Sequence, residues 1–313
     1  MYDWLPKEAL PEPIIGSIQR GVAQIISKYK NSKALPASLY HYTDATGLKG
    51  IIEGGYLRAT HVAFMNDARE FLHAVSLLLD AVRLRQKQST SALVQRTLSD
   101  LESFIAPTSA ESAPAIFVTC FTGEDNSLNQ WRAYGKGEGG YSLGFDPIRM
   151  QQTARSGTLM PVLYDERTQR GAVDELLDWS LSEYEKLSQQ NEEFAGDEKR
   201  VLWWTWLLAT ATQLAPMMKD KSFQAEAEWR YTLWCNSQSE MDFVPRPIGL
   251  VPFTRFEFGE PREGKPSLLP VTKLYSGPGR ATKSALLAGR TLLEKFEYYG
   301  VPIEASAIPY RVS

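Results

Sequence analysis

The chain has 313 residues, 43% hydrophobic and 23% charged, with a net charge of −3. That length can bury a core without disulfide or metal staples. The slightly acidic balance argues against a protein that coats nucleic acid with a broad basic face.

Two cysteines, Cys120 and Cys235, exclude a disulfide scaffold and a cysteine-based zinc site and fit a reducing cytoplasm. The three histidines, His41, His61 and His73, lack ligand spacing, so no metal is expected. No leader of basic then apolar residues opens the chain, and no stretch of roughly 18 uncharged apolar residues occurs. Neither a signal peptide nor a membrane span is therefore expected, and the expected location is cytoplasmic.

Residues 1–37 read as a helical N-terminal extension, with Ile15, Ile18, Val22, Ile25 and Ile26 near helical spacing. Ala37–Thr43 predicts a short strand with Leu39, His41 and Thr43 on one face. Thr43 or Asp44 can cap a helix that ends at Gly54-Gly55. Ala59–Asp67 reads as extended. Helices are predicted over Ala68–Gln86 and Ser91–Ile105. Ala115–Thr122 is a β-branched and aromatic run, the clearest strand. A short helix, Ser127–Gly135, and strands at Gly139–Asp146 and Leu159–Asp165 follow. Two long helices fill about 170–190 and 192–218, the second carrying the most apolar segment. Glu226–Trp234 alternates as a strand, with Glu226, Glu228 and Arg230 on one face. Residues 249–258 and 271–277 are strand-like. Ala281–Tyr299 is an amphipathic helix, and Pro302–Val312 a closing strand. Strands and helices mix in both halves, which predicts an α+β fold. It is read as one domain over 38–313 with a helical insertion at about 170–220.

Several groups of residues could carry chemistry. His41-Tyr42-Thr43 ends a strand just before a helix, either as packing or as polar groups at a sheet rim. Asn66 and Asp67, with Glu70 three residues further on, fit a helix cap or a ligand contact. Trp131 and Tyr134 share a helical face, as core or as a stacking platform for a flat ring. Glu226 and Glu228 on one strand face repel unless the face is wet or a site needs them, and Arg230 would support them. Ser276-Gly277-Pro278-Gly279 is a turn at a helix start without the P-loop pattern.

In order, Leu39–Thr43 (LYHYT), Phe64–Phe71 (FMNDAREF), Phe117–Thr122 (FVTCFT), Leu128–Gly135 (LNQWRAYG), Tyr141–Asp146 (YSLGFD), Glu226–Tyr231 (EAEWRY), Ser276–Gly279 (SGPG) and Ser306–Val312 (SAIPYRV) span about residues 38–312. This succession resembles a large bacterial family catalogued as a domain of unknown function and grouped with the ADP-ribosyltransferase superfamily. The resemblance implies a central mixed β-sheet of ADP-ribosyltransferase-like type with helical insertions. It implies cleavage of NAD at the nicotinamide–ribose bond, without metal, and transfer of ADP-ribose to nucleic acid, protein or water in a defence or toxin context. It assigns catalysis to Glu228, with Glu226 as its upstream partner, and to His41. NAD contacts would come from His41, Tyr42, Thr43, Asn66, Trp131, Tyr134 and Arg230. The second-strand Ser-Thr-Ser motif of that superfamily is replaced by Ala59-Thr60-His61. The competing expectation is a non-catalytic module that binds a nucleotide or a partner protein in the same cleft.

Overall fold

A computed structural model describes residues 10–65, 69–108, 115–135, 140–235, 237–279 and 282–309. Its centre is a sheet of β1 (Leu39–Thr43), β2 (Tyr56–His61), β3 (Ile116–Thr122), β4 (Tyr141–Phe145), β5 (Thr158–Pro161), β6 (Glu228–Trp234), β7 (Asp242–Arg246), β8 (Gly249–Glu257), β11 (Val271–Ser276) and β12 (Ile303–Ala305). Between the last of these strands, β9 (Glu260–Arg262) and β10 (Lys265–Leu268) form a separate hairpin. Only β11 and β12 pair in parallel; the other described pairs are antiparallel. The sheet is therefore mixed, as the sequence predicts.

β3 is a branch point. Along its full length it pairs with β6. A strand has two edges, so β2, paired at Phe117 and Val118, and β1, paired at Thr122, divide the other. From β1 the sheet continues through β4 and β11 to β12, and from β2 through β8 to β7. Between the two arms the sheet forks.

Both faces of β3 and β6 are covered. Ile116 and Val118 face α1 (Glu12–Lys30), α3 (Arg69–Gln88), α4 (Ala92–Ile105), α7 (Glu166–Gln190) and α8 (Asp197–Ala211) in one core cluster. Phe117, Phe121, Trp229, Tyr231 and Leu233 face the other way, against α2 (Ala45–Gly54), α6 (Pro147–Thr153) and α9 (Thr282–Lys295). The residues read as an N-terminal extension are part of the first core: Ile15, Ile18, Val22, Ile25 and Ile26 are all buried there. Asp44 caps α2 by accepting from the Gly47 N–H at 2.7 Å.

The sequence reading needs correction at several boundaries. β6 starts at Glu228, because Glu226 ends a 3-10 turn over Lys221–Glu226 and Ala227 adopts a left-handed conformation at φ 45°. The strand expected over Leu159–Asp165 spans Thr158–Pro161. Among the described residues of the expected closing strand only Ile303–Ala305 (β12) form a strand, residues 310–312 lying outside the described residues, and the strands β7, β9 and β10 carry no clear alternation. In the hairpin of β7 and β8, Pro252 opposes Phe243 and Pro245 opposes Leu250. Proline cannot donate, so these are the pairs that exchange no hydrogen bonds, and Phe243 and Pro245 direct their backbone outward from the sheet edge.

Candidate functional site

A charged cluster sits where β3 and β6 meet the larger helical layer. Glu228 and Arg230 are two apart on β6 and share a face with Cys120 and Thr122 of β3. Arg230, 1% exposed, donates from Nε to Glu228 Oε1 at 2.9 Å and from Nη2 to Glu228 Oε2 at 3.0 Å. Its Nη2 also meets Glu70 Oε2 of α3 at 2.5 Å, and its Nη1 reaches the Pro216 carbonyl at 2.9 Å. Lys219 completes the group, with Nζ 2.9 Å from Glu70 Oε1, 3.0 Å from Glu228 Oε2 and 2.6 Å from Glu226 Oε2. Three carboxylates thus face two cations.

Lys219 is held from behind. Its N–H donates to the Leu163 carbonyl, and its own carbonyl accepts from Gln169 Nε2 at 2.8 Å. Gln169 in turn donates to Leu163 and accepts from His73 Nε2. Tyr164 accepts the Glu228 N–H at 3.0 Å through its hydroxyl. Burial alone would raise the carboxyl of Glu228, but the charges of Arg230 and Lys219 outweigh it and hold the group at about 2. Burial likewise opposes the charge on Lys219, and Glu228 and Glu70 reverse that and drive its pKa up. Burial pushes the Cys120 thiol well up, and the Glu228 charge adds to it. The Tyr134 phenol is raised by burial, then by Cys120, Glu228 and Glu226.

The residues singled out in the sequence separate into three places. Glu226, Glu228, Arg230 and Tyr134 converge on the cluster. Within it, Arg230 spends its donors on the protein and is a buried counter-ion, which corrects its expected contact with a cofactor. Both oxygens of Glu228 are engaged by cations as well. Glu226 is the open acid, with a side chain 33% exposed. Tyr134, of α5 (Leu128–Tyr134), is 37% exposed.

His41 lies elsewhere. Tyr40 opposes Thr122, and Thr122 opposes Glu228, so these three share a face; His41 falls on the other, edge-on to Phe121 at 5.8 Å between centroids. The expectation that His41 and Glu228 line one cleft is corrected by this register. The imidazole lies against β3, with Nδ1 2.9 Å from the Cys120 carbonyl. A carbonyl only accepts, so Nδ1 carries the proton in this bond. Burial lowers the His41 pKa, against the opposing effect of that bond.

Tyr42 and Trp131 form a third group with Tyr275. The Tyr42 hydroxyl donates to the Glu124 carbonyl and accepts from the Ser127 N–H, and Trp131 Nε1 donates to Asn126. Both rings are buried and pack at 4.6 Å between centroids. Their expected stacking on a ligand is corrected to packing, because neither has a ring face in solvent. Thr43 is half-buried at the end of β1. Asn66 lies outside the described residues. Glu70, Lys219, Tyr164 and Cys120 were not found as site residues from sequence. Glu70 read as a capping residue, and Lys219 carries one available signal: a cation placed directly after the apolar run that ends in Met217-Met218.

Residues 130–231 match the model of a family described as "Protein of unknown function (DUF2971)". The match covers about a third of the chain, from the middle of α5 to Tyr231 in β6, and so includes Tyr134, Lys219, Glu226, Glu228 and Arg230. No curated protein and no solved structure matches the chain. Among the described residues no group of His, Cys, Asp and Glu is placed to hold a metal ion. No described helix is long and apolar enough to cross a membrane.

Proposed function

We propose that the chain binds NAD at the Glu226–Tyr134 rim and cleaves its nicotinamide–ribose bond, in the manner of ADP-ribosyltransferases. The observation that carries this reading is the charge imbalance of the cluster. Among the described residues Glu70, Glu226 and Glu228 face Lys219 and Arg230, three carboxylates to two cations, and the negative charge reaches solvent at Glu226, beside an exposed tyrosine ring. An anionic, aromatic rim suits a flat cation such as the nicotinamide ring of NAD. When the glycosidic bond breaks, its electron pair leaves with neutral nicotinamide, and the positive charge passes to the ribose. A carboxylate fixed nearby then stabilises the oxocarbenium-like state more than the ground state. The ribosyl cation is captured by a nucleophile from the acceptor or by water, which gives up a proton. In this arrangement Glu226 meets the reacting ribose, and Lys219 and Glu228 position it.

The test is nicotinamide release from NAD by the purified full chain, with water, nucleic acid or protein as acceptor. Glu226→Gln should lower the rate by roughly 10²–10³ at an unchanged melting temperature, the usual cost of removing one such contact. Release by Glu226→Gln at the wild-type rate overturns the assignment. Saturable NAD binding with no release under any acceptor favours the second reading, a non-catalytic nucleotide-binding module. One observation supports that alternative: both oxygens of Glu228 are already consumed by Arg230 and Lys219.

A further inference from the structure

Behind the charged cluster the helical layer contains a half-open cavity of about 330 Å³, lined by α3, the end of α4, α7, α8 and the 3-10 turn Thr212–Met217. Its walls include Leu78, Leu176, Leu208, Leu214 and Met218, and among the described residues no charged side chain lines it. Two of its three threonines donate their hydroxyl protons to their own helical turns, Thr205 to the Val201 carbonyl and Thr212 to the Ala209 carbonyl. The cavity is therefore poor in polar partners for water. It is more than twice the ~150 Å³ that accommodates a benzene-sized ligand. Phe104, 47% exposed, stands where the cavity meets solvent.

We propose that this cavity is a binding site for one unbranched hydrocarbon chain, of an alcohol or acyl type, with its polar end at Phe104. At the ~30 Å³ that a water-sized group occupies in a liquid, the volume takes roughly ten methylene groups. Walls that are mainly aliphatic, with Phe71 and Phe104 as their two rings, suit a flexible chain, and the polar end must remain outside because the interior offers it few partners. Phe71 and Met218 line the cavity and are the chain neighbours of Glu70 and Lys219, so an occupant lies directly behind the charged cluster. The proposal stands whether or not that cluster cleaves NAD.

The probe is 1-decanol, titrated into protein labelled with ¹³C-methyl methionine, with the Met218 signal assigned from Met218→Leu. The chain has seven methionines, which serve as internal controls. The Met218 methyl should shift saturably at one equivalent while methionines distant from the cavity stay still, and the melting temperature should rise. Ala209→Phe, which places a ring in the cavity, should weaken binding by about tenfold or more with the circular dichroism unchanged. A Met218 methyl that does not move overturns the proposal, and so does an equal, non-saturating shift of all seven. Should Ala209→Phe fail to fold, the wild-type comparison of Met218 with the other methionines decides alone.

Discussion

At the scale of single residues, Glu226 and Glu228 are two apart in sequence and opposite in expected behaviour. Glu228 is 5% exposed and binds both buried cations. Glu228→Gln sets an amide against donors that already point at it and leaves Arg230 short of a bidentate partner. Breaking a buried pair in this way costs roughly 3–5 kcal/mol. Glu226→Gln removes one partly solvated contact to Lys219 and should cost less than ~1 kcal/mol. Urea unfolding of both variants separates the two, and equal losses contradict the assignment. The same geometry sets an acid limit. The unfolded carboxyl of Glu228 titrates near its ordinary 4.5, and the folded one at about 2. Between those values the unfolded chain binds the extra proton. The stabilisation is thus complete above about pH 4.5 and is lost as pH falls towards 2, amounting to about 3 kcal/mol. Wild type should lose stability faster than Glu228→Gln across that window; parallel curves would show that the carboxylate is not held as described.

At the scale of elements, the turn before β6 decides which carboxylate is buried. A strand starting at Glu226 would have put Glu226 and Glu228 side by side on one face. The left-handed Ala227, at φ 45° and ψ 43°, breaks the alternation and turns Glu226 out to the rim. Alanine carries a cost of roughly 1 kcal/mol in that conformation, and glycine does not. Ala227→Gly should therefore raise stability by up to ~1 kcal/mol, and Ala227→Val should lower it, both read from thermal melts. This turn also marks how far the sequence could be read. β3 was legible because seven residues from Ile116 to Thr122 are nearly all β-branched or aromatic. The helices were legible where apolar residues recur at their spacing, as from Ile15 to Ile26. The conformation of Ala227 was not, because nothing local requires it: the ion pairs on either side of it, Glu226 with Lys219 and Glu228 with Arg230, are tertiary contacts. His41 was placed on the correct strand, yet its relation to Glu228 depends on the register between β1 and β3, which no local pattern fixes. Glu70 reaches the cluster from α3, distant in sequence, and Lys219 from the irregular stretch before β6, and neither gave a periodic signal.

At the scale of the whole molecule, α1 belongs to the same body as the rest. Five aliphatic side chains of α1, Ile15, Ile18, Val22, Ile25 and Ile26, are buried against the helical layer. At ~1.5–3 kcal/mol each, their removal takes away about 8–15 kcal/mol as an upper figure, as much as a typical domain's entire stability. A chain beginning at residue 38 should therefore give no cooperative thermal transition, whereas the full chain should give one. A sharp transition in the shortened chain would show that α1 is dispensable.

The edge at β7 has a consequence for behaviour in concentrated solution. Phe243, Ile248 and Leu250 leave the β7–β8 hairpin with greasy side chains in water, at the free margin of a large sheet. Such a margin invites the next molecule to add its own strand and the next to follow, which is how fibres grow. Pro245 presents no N–H where an incoming strand would look for one. One missing hydrogen atom thereby takes a rung out of the ladder a second molecule would have to build on this margin.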